Sequence, residues 1–271
     1  MAHISPGTRV GQRKAGQRWA AGVPVPRSGN ERALPPSLPD RSAQLWDSQR
    51  GEVARSLLTS GVRCFASNGF HATTTRDITA AVGLSPGALY VHFPSKEHLL
   101  FEIIRTGHVR SLEILKEAEA DGNAVSYLRS LVARFVAWHA HHHVAGRVSQ
   151  YELAALTPEH YEEILQLRRQ STDIFRQAVI RGIGEGTFVA VDVHRVVRAI
   201  LSLGVDLVRW YRTDGPDSPE QLGEFYADLA LGMVCSTENN AASRVEQTAP
   251  ASATSRRGLG SVYIVRAHPT E

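Results

Sequence analysis

Residues 69–100 read GFHATTTRDITAAVGLSPGALYVHFPSKEHLL, and this stretch decides the fold of the chain. Thr74, with an acidic residue three positions later, forms a capping-box pattern that begins a helix. Gly83 ends that helix, and Ser85 followed by proline is a second start signal, because proline costs nothing at the first helical position. The stretch therefore predicts two short helices joined by a tight turn, which is the layout of a helix-turn-helix.

Helical signals continue on both sides of this stretch. Upstream, apolar or small residues recur every four positions and mark an amphipathic helix, at Val53, Leu57, Gly61 and Phe65. Downstream, Ser95 begins a long helix that runs from Lys96 toward Ala120. Start and stop signals of the same kind predict five further helices, at 123–143, 144–156, 158–183, 192–213 and 218–235. No segment alternates strongly enough for a sheet, so the predicted fold is all-α with about nine helices.

The two ends of the chain differ in composition from its middle. Residues 1–45 are rich in proline, glycine and arginine without apolar periodicity, which predicts a disordered basic arm. Residues 237–271 are rich in alanine, serine and threonine and predict a disordered tail. Between them we expect a three-helix helix-turn-helix domain at 46–105 and a helical bundle at 106–236.

The composition restricts the class of protein. The chain has 271 residues, of which 42% are hydrophobic and 21% charged, as is ordinary for a soluble globular protein. It has no run of about 18 apolar residues, so we expect no membrane span. The basic residues near its start are not followed by an apolar region, which argues against a secretory signal. Two distant cysteines, Cys64 and Cys235, fit reduced thiols in a cytoplasm.

The net charge of +3 is unevenly distributed. Residues 1–45 carry +5 and residues 46–236 carry −3, so the arm rather than the core makes the chain basic. Residues 46–105 carry only +1, which predicts modest, salt-sensitive affinity of that domain for nucleic acid. The arm is either an incidental tail or a segment that grips phosphates or the minor groove.

The second short helix would present small or polar side chains outward, so that its backbone can approach the floor of a DNA major groove. The spacings within residues 69–100 strongly resemble those of the TetR family of bacterial transcriptional repressors, and the match runs from Arg50 to about Leu100. The resemblance implies a homodimeric regulator bound to double-stranded DNA at a palindromic operator. The implied DNA contacts are Thr74, Thr75, Arg76, Ser85, Pro86, Gly87, Ala88, Tyr90, His92 and Lys96.

Three of these residues have more specific expected roles. Arg76 is the candidate for base or phosphate readout, Tyr90 for packing against the DNA backbone, and Lys96 for a phosphate contact. One departure from the family pattern is Gly61, where alanine is common. Glycine should weaken the first helix by about 1 kcal/mol relative to alanine.

The C-terminal half resembles the TetR-family subgroup that controls fatty-acid and steroid catabolism, through the runs at 141–143, 150–153, 181–188 and 208–211. Members of that subgroup sense acyl-CoA-type ligands, so the resemblance implies a small hydrophobic or acyl-CoA-like effector. The candidate ligand contacts on the middle helices are Phe135, Trp138, His139, Tyr151, Leu167, Arg168, Ile174 and Phe175. Wide apolar stripes on the last two helices favour a dimer interface, with Val197, Ile200, Gly204, Leu207, Tyr211, Phe225 and Leu229.

Other interpretations remain open at this point. His139 and His143 share a helical face, but neither a glutamate of the His-Glu-x-x-His type nor a nearby cysteine accompanies them, so we expect no metal and no cofactor. The glycines at 182, 184 and 186 follow no strand, and we interpret them as a turn. An enzyme using the histidine cluster, a dimerisation protein without DNA binding and a transcriptional activator are the alternatives to a ligand-responsive, non-enzymatic repressor.

Overall fold

The computed structural model describes residues 41–118 and 122–235. They form nine α-helices and two short 3-10 helices without any strand, which confirms the predicted all-α class. The α-helices are α1 (Glu52–Asn68), α2 (Thr75–Ala80), α3 (Ala88–His92), α4 (Lys96–Lys116), α5 (Ala124–His141), α6 (His143–Tyr151), α7 (Pro158–Gly184), α8 (Val193–Trp210) and α9 (Pro219–Val234). The 3-10 helices are Arg41–Leu45 and Leu153–Ala155. The predicted tail at 237–271 lies outside the described residues.

Most of the helices begin where a side chain caps the first turn. The capping box predicted at Thr74 is present, because its hydroxyl accepts from the Asp77 N–H while the Asp77 carboxylate accepts from the Thr74 N–H. Ser218 starts α9 with a second capping box. A side chain that accepts from a backbone N–H, without the reciprocal bond, starts α4, α5, α7 and α8, at Ser95, Asn123, Thr157 and Asp192. Each cap satisfies an N–H group that has no partner inside the helix.

The predicted cap at Ser85 is wrong. Helix α3 begins three residues later at Ala88, and its N-cap is Gly87, which makes no side-chain hydrogen bond. The Ala88 N–H instead donates to the Ser85 carbonyl at 3.0 Å, so residues 85–87 form a turn that leads into the helix. Helix α2 ends at Ala80, three residues before Gly83, which was predicted to end it. Gly83 lies in the turn that follows, with a φ of 71° that favours glycine.

The predicted disordered arm is also wrong in its last five residues. Residues 41–45 form a 3-10 helix that packs against α1 and α4, and Leu45 is buried. The Trp46 indole N–H donates to the Thr59 hydroxyl at 2.8 Å, and the Arg41 guanidinium hydrogen-bonds to His141 at 2.6 Å. Burial of these apolar side chains stabilises the segment. The abundance of proline and arginine in residues 1–45 gave no indication of this order.

Two hydrophobic cores hold the helices together. The first joins the helix-turn-helix, the beginning of α4 and the apolar face of α6, and the second joins the end of α4 to α5, α7, α8 and α9. Helix α4 contributes to both, with Ile104 in the first core and Leu115 in the second. Gly61 faces α4, and an added Cβ would lie 2.9 Å from the Leu99 side chain. Close packing of α1 against α4 therefore offsets the lower helix propensity of glycine relative to alanine.

Candidate functional site

Helices α2 and α3 are held against α1 by buried side chains on one face. Ile78 and Leu89 are fully buried, and the Ser60 hydroxyl on α1 donates to the Ile78 carbonyl at 2.7 Å. Because the short pair is anchored on this side, its opposite side is free to meet a partner. The arrangement is that of a recognition helix presented by a supporting scaffold.

The residues predicted to contact DNA lie largely on that open side. Seven of them are exposed, and these are Thr74, Arg76, Ser85, Pro86, Gly87, Tyr90 and His92. Thr75 and Ala88 are half-buried. Tyr90 has 58% of its surface exposed, so its ring projects from α3 rather than into the core.

Val91 is a surface residue that the sequence analysis missed. It is 79% exposed, although an isolated apolar side chain in a helix is ordinarily assigned to a core. The buried neighbours Leu89 and Phe93 lie four positions apart and fix the inner face of α3, so Val91 must point away from them. The spacing of those two neighbours was the signal that would have found it.

Lys96 differs from its predicted role as a phosphate contact. Its ammonium donates to the carbonyls of Phe70 at 2.7 Å and Thr73 at 2.6 Å and lies 4.2 Å from the centre of the Phe70 ring. Partial burial lowers its pKa, while nearby Asp77 acts in the opposite direction. Lys96 therefore holds the loop between α1 and α2 against the start of α4, and only its third proton is free for a phosphate.

A cavity of about 270 Å³ lies among helices α4 to α8, and Leu45 of the first 3-10 helix also lines it. Four of the eight predicted ligand contacts line it, namely Phe135, Trp138, His139 and Arg168. The other four do not, since Tyr151 is exposed, Phe175 and Ile174 belong to the second core, and Leu167 packs against the first. The lining residues that were not predicted are Leu45, Gly107, His108, Ser111, His142, Ala145, Gly146, Ser149, Gln150, Ser171, Thr172, Leu201, Ser202 and Val205.

Arg168 is the charged group of the cavity. Its Nε–H donates to His108 Nε2 at 3.0 Å, and a terminal nitrogen lies 3.4 Å from the Ser149 carbonyl and 3.5 Å from the Gln150 amide oxygen. Within the described part of the chain no carboxylate forms a salt bridge with it. Burial lowers the pKa of Arg168, and a half-buried cation without a counter-ion favours an incoming anion or strong acceptor.

Two histidines beside this arginine are held neutral. Burial lowers the pKa of His108 to about 4, with the positive charge of Arg168 acting in the same direction. Burial likewise lowers the pKa of His139 to about 4, partly opposed by its hydrogen bond to the Phe135 carbonyl. Because carbonyls only accept, each ring carries its proton on Nδ1. His108 Nε2 is therefore the acceptor that Arg168 requires.

The residues predicted for a dimer interface divide into two groups. Val197, Ile200, Gly204, Leu207 and Tyr211 are buried within this single chain, so their assignment to an interface is wrong. The widest apolar stripe of α8 packs against α5 and α7 because that is where its apolar area is covered. Phe225 and Leu229 on α9 are exposed, as are Leu203 and Trp210 on α8, which the sequence analysis did not single out.

Comparison with known proteins follows the two halves of the chain. Residues 57–103 match the bacterial regulatory proteins of the tetR family, and residues 121–234 match the tetracyclin repressor-like C-terminal domain. The HTH-type transcriptional repressor KstR2 of Mycobacterium tuberculosis H37Rv is 32% identical over 201 residues, which are 72% of this chain and 97% of that protein. The chain belongs to the tetR family.

Solved structures of tetR-family proteins have the same fold. A tetR-family regulatory protein from Rhodococcus RHA1 is 37% identical, with a TM-score of 0.66 over 69% of this chain and 99% of that one. The ketosteroid transcriptional regulator KstR2 of M. tuberculosis gives 29% identity and a TM-score of 0.65 over 69% of this chain and 97% of that one. AibR, solved with isovaleryl coenzyme A and operator DNA, gives 23% identity and a TM-score of 0.60 over 66% and 97%.

Membership of the tetR family excludes two of the alternatives that the sequence left open, the enzyme and the dimerisation protein without DNA binding. The family consists of DNA-binding transcriptional regulators, so this protein is a regulator and not an enzyme. In residues 41–118 and 122–235 no three histidine, cysteine or acidic side chains come together as a metal site. Over the same residues no helix is both long and apolar enough to cross a membrane.

Proposed function

We propose that this tetR-family regulator represses transcription by binding a palindromic operator as a homodimer, and that a small acyl-CoA-like effector releases it. The observation that carries the proposal is a partly open, mostly apolar cavity behind an exposed helix-turn-helix. Its arginine has no counter-ion among residues 41–118 and 122–235. A protein that only binds DNA has no need of such a cavity.

The DNA contact is proposed for α3 and the start of α2. Ser85, Gly87 and Ala88 keep the surface of the turn and helix low, so that the α3 backbone can enter a major groove. Arg76 is exposed and makes a phosphate or base contact, and the N–H groups at the start of α2 suit phosphate oxygens. Val91 and Tyr90 add apolar contact on the exposed face.

The dimer contact is proposed for the outer faces of α8 and α9. Trp210 lies seven residues after Leu203, and Leu229 lies four after Phe225, so each pair shares one helical face. Phe225 is 58% exposed and Trp210 is 46% exposed, and such aromatic groups are enriched in interfaces. A two-fold pair built on these faces presents two copies of α3 at a fixed distance, which a palindrome matches.

The effector proposal rests on the size and polarity of the cavity. At about 270 Å³ it is at the small end of ligand pockets, so it takes the acyl part of a thioester rather than a whole coenzyme. Phe135 and Trp138 supply apolar contact, and Arg168 donates to a carbonyl or carboxylate of the ligand. KstR2 is a ketosteroid regulator and AibR was solved with isovaleryl coenzyme A, so both sterol-derived and short branched acyl groups are candidates.

The proposal is tested by selecting bound DNA from a random library and repeating the binding with a panel of acyl-CoA thioesters. We expect an enriched palindrome and its release by one class of thioester. Arg168→Ala should abolish release while leaving operator affinity in place, and Arg169→Ala, an exposed neighbour paired with Glu162, is the matched control. Enrichment of no sequence would refute operator binding, and release that is identical in Arg168→Ala would refute the proposed effector site. A reporter gene placed behind the palindrome separates repression from activation.

A further inference from the structure

Besides its apolar face, which packs in the first core, the end of α6 reaches the helix-turn-helix through a polar side chain. Glu152 follows α6 directly, and its Oε2 accepts a hydrogen bond from the backbone N–H of Phe70 at 3.0 Å. Phe70 belongs to the loop that leads from α1 to the capping residue of α2. An added Cβ at Gly69 would lie 3.5 Å from the Glu152 Oε1, so the carboxylate sits directly against this loop.

The same loop is held from its other side by α4. The Lys96 ammonium donates to the Phe70 and Thr73 carbonyls, so the peptide groups around Phe70 are fixed by an acid on one side and a base on the other. Thr74, which caps α2, comes directly after this clamped loop. The orientation of α2 and α3 is therefore tied to the position of Glu152.

The other end of this connection is the cavity. Ser149 and Gln150 line it, three and two residues before Glu152 respectively, and both offer acceptors to Arg168. A ligand that recruits Arg168 takes the guanidinium away from these acceptors and occupies the space beside the end of α6. Since a helix transmits displacement along its axis, movement at Ser149 reaches Glu152 within one turn.

We propose that Glu152 is the positioning residue through which the occupied cavity alters the DNA-binding unit. The inference rests on the proposed function, in which ligand binding in the cavity and operator binding weaken each other. With an empty cavity, Glu152 holds the loop at Phe70 in the geometry that the operator requires. When the end of α6 moves, the hydrogen bond is lost and α2 and α3 lose the orientation that suits the groove. Linkage makes the effect reciprocal, so operator binding must also change the end of α6.

Two variants isolate the hydrogen bond from mere packing. Glu152→Ala removes the acceptor and should weaken binding to the selected operator about 10-fold. Glu152→Gln keeps an acceptor oxygen of the same reach and should restore most of that affinity. Asp173→Ala, an exposed acid on α7 paired with Arg176, is the control and should bind as the wild type does.

A measurement without any effector tests the coupling itself. Hydrogen exchange of residues 143–151 is followed with and without operator in the full-length protein. We expect the operator to slow exchange there in the wild type and Glu152→Gln, and not in Glu152→Ala, even at concentrations that saturate its DNA binding. Unchanged exchange in the wild type, or equal protection in all three proteins, overturns the inference while the proposed function stands. A wild type that binds no selected duplex overturns both.

Discussion

The neutral histidines of the cavity make the stability of the protein depend on pH below neutrality. His108 and His139 have a pKa of about 4 in the folded protein, against an ordinary value of 6.5. The unfolded chain therefore binds more protons between these values, and the free energy of unfolding must fall as the pH falls. At about pH 5 each histidine costs up to about 2 kcal/mol relative to about pH 7.5.

Urea denaturation at fixed protein concentration and at several pH values between about 7.5 and 5 measures this loss. His108→Gln removes one titrating ring and should make the dependence on pH shallower by up to about 2 kcal/mol over that range. His71→Gln, an exposed histidine in the loop before α2, is the control and should keep the slope of the wild type. A slope that is the same in all three proteins would refute the assignment of His108 as a buried neutral base.

Three further predictions concern single side chains. Lys96→Met should weaken operator binding because the loop loses its support, while the slope of log affinity against log salt concentration stays unchanged. Arg76→Met should instead lower that slope by about 0.9. A lowered slope for Lys96→Met would show that Lys96 contacts a phosphate. Val91→Ser should reduce the preference for thymine at one operator position by about 5-fold in a binding selection, since a hydroxyl replaces apolar contact with the thymine methyl; an unchanged preference would place Val91 outside the groove. Gly223→Ala should destabilise the fold by about 1–3 kcal/mol in thermal unfolding, because the new Cβ would lie 2.6 Å from the Ala133 carbonyl oxygen; Gly184→Ala, which meets nothing within 4 Å, is its control.

The parts of the fold that depend on residues close together in the sequence could be predicted from the sequence. The capping box at Thr74 and the cap at Ser95 use hydrogen bonds that span three residues, so the local pattern contains all of their atoms. The prediction of Ser85 as a helix N-cap was wrong because a serine followed by proline can also begin a turn. Whether it caps a helix or begins a turn depends on how α3 packs on α1. The prediction of disorder at residues 41–45 was wrong because contacts with α1 and α4, which are distant in sequence, order this segment.

The sites were harder to predict because they depend on how helices cross. Periodicity located the apolar faces of α8 but could not show which face packs within the same chain. The stripe with Ile200 and Leu207 is buried in the core, whereas the narrower stripe with Trp210 is exposed. In the cavity, Phe135 and Phe175 are both aromatic residues on middle helices, yet only Phe135 faces the open space. His108 was missed because the candidate ligand contacts were taken from the middle helices, whereas α4 also forms a wall of the cavity.

Operator binding depends most on two copies of α3 held at a fixed distance by the dimer, and an altered operator tests this directly. About 5 base pairs inserted between the two halves of the selected palindrome rotate one half-site by about half a turn. We predict that affinity for the altered duplex falls to the level of unrelated DNA, while light scattering of the complex with the original palindrome gives an even number of chains. Equal affinity for the two duplexes, or one chain per duplex, would contradict the account.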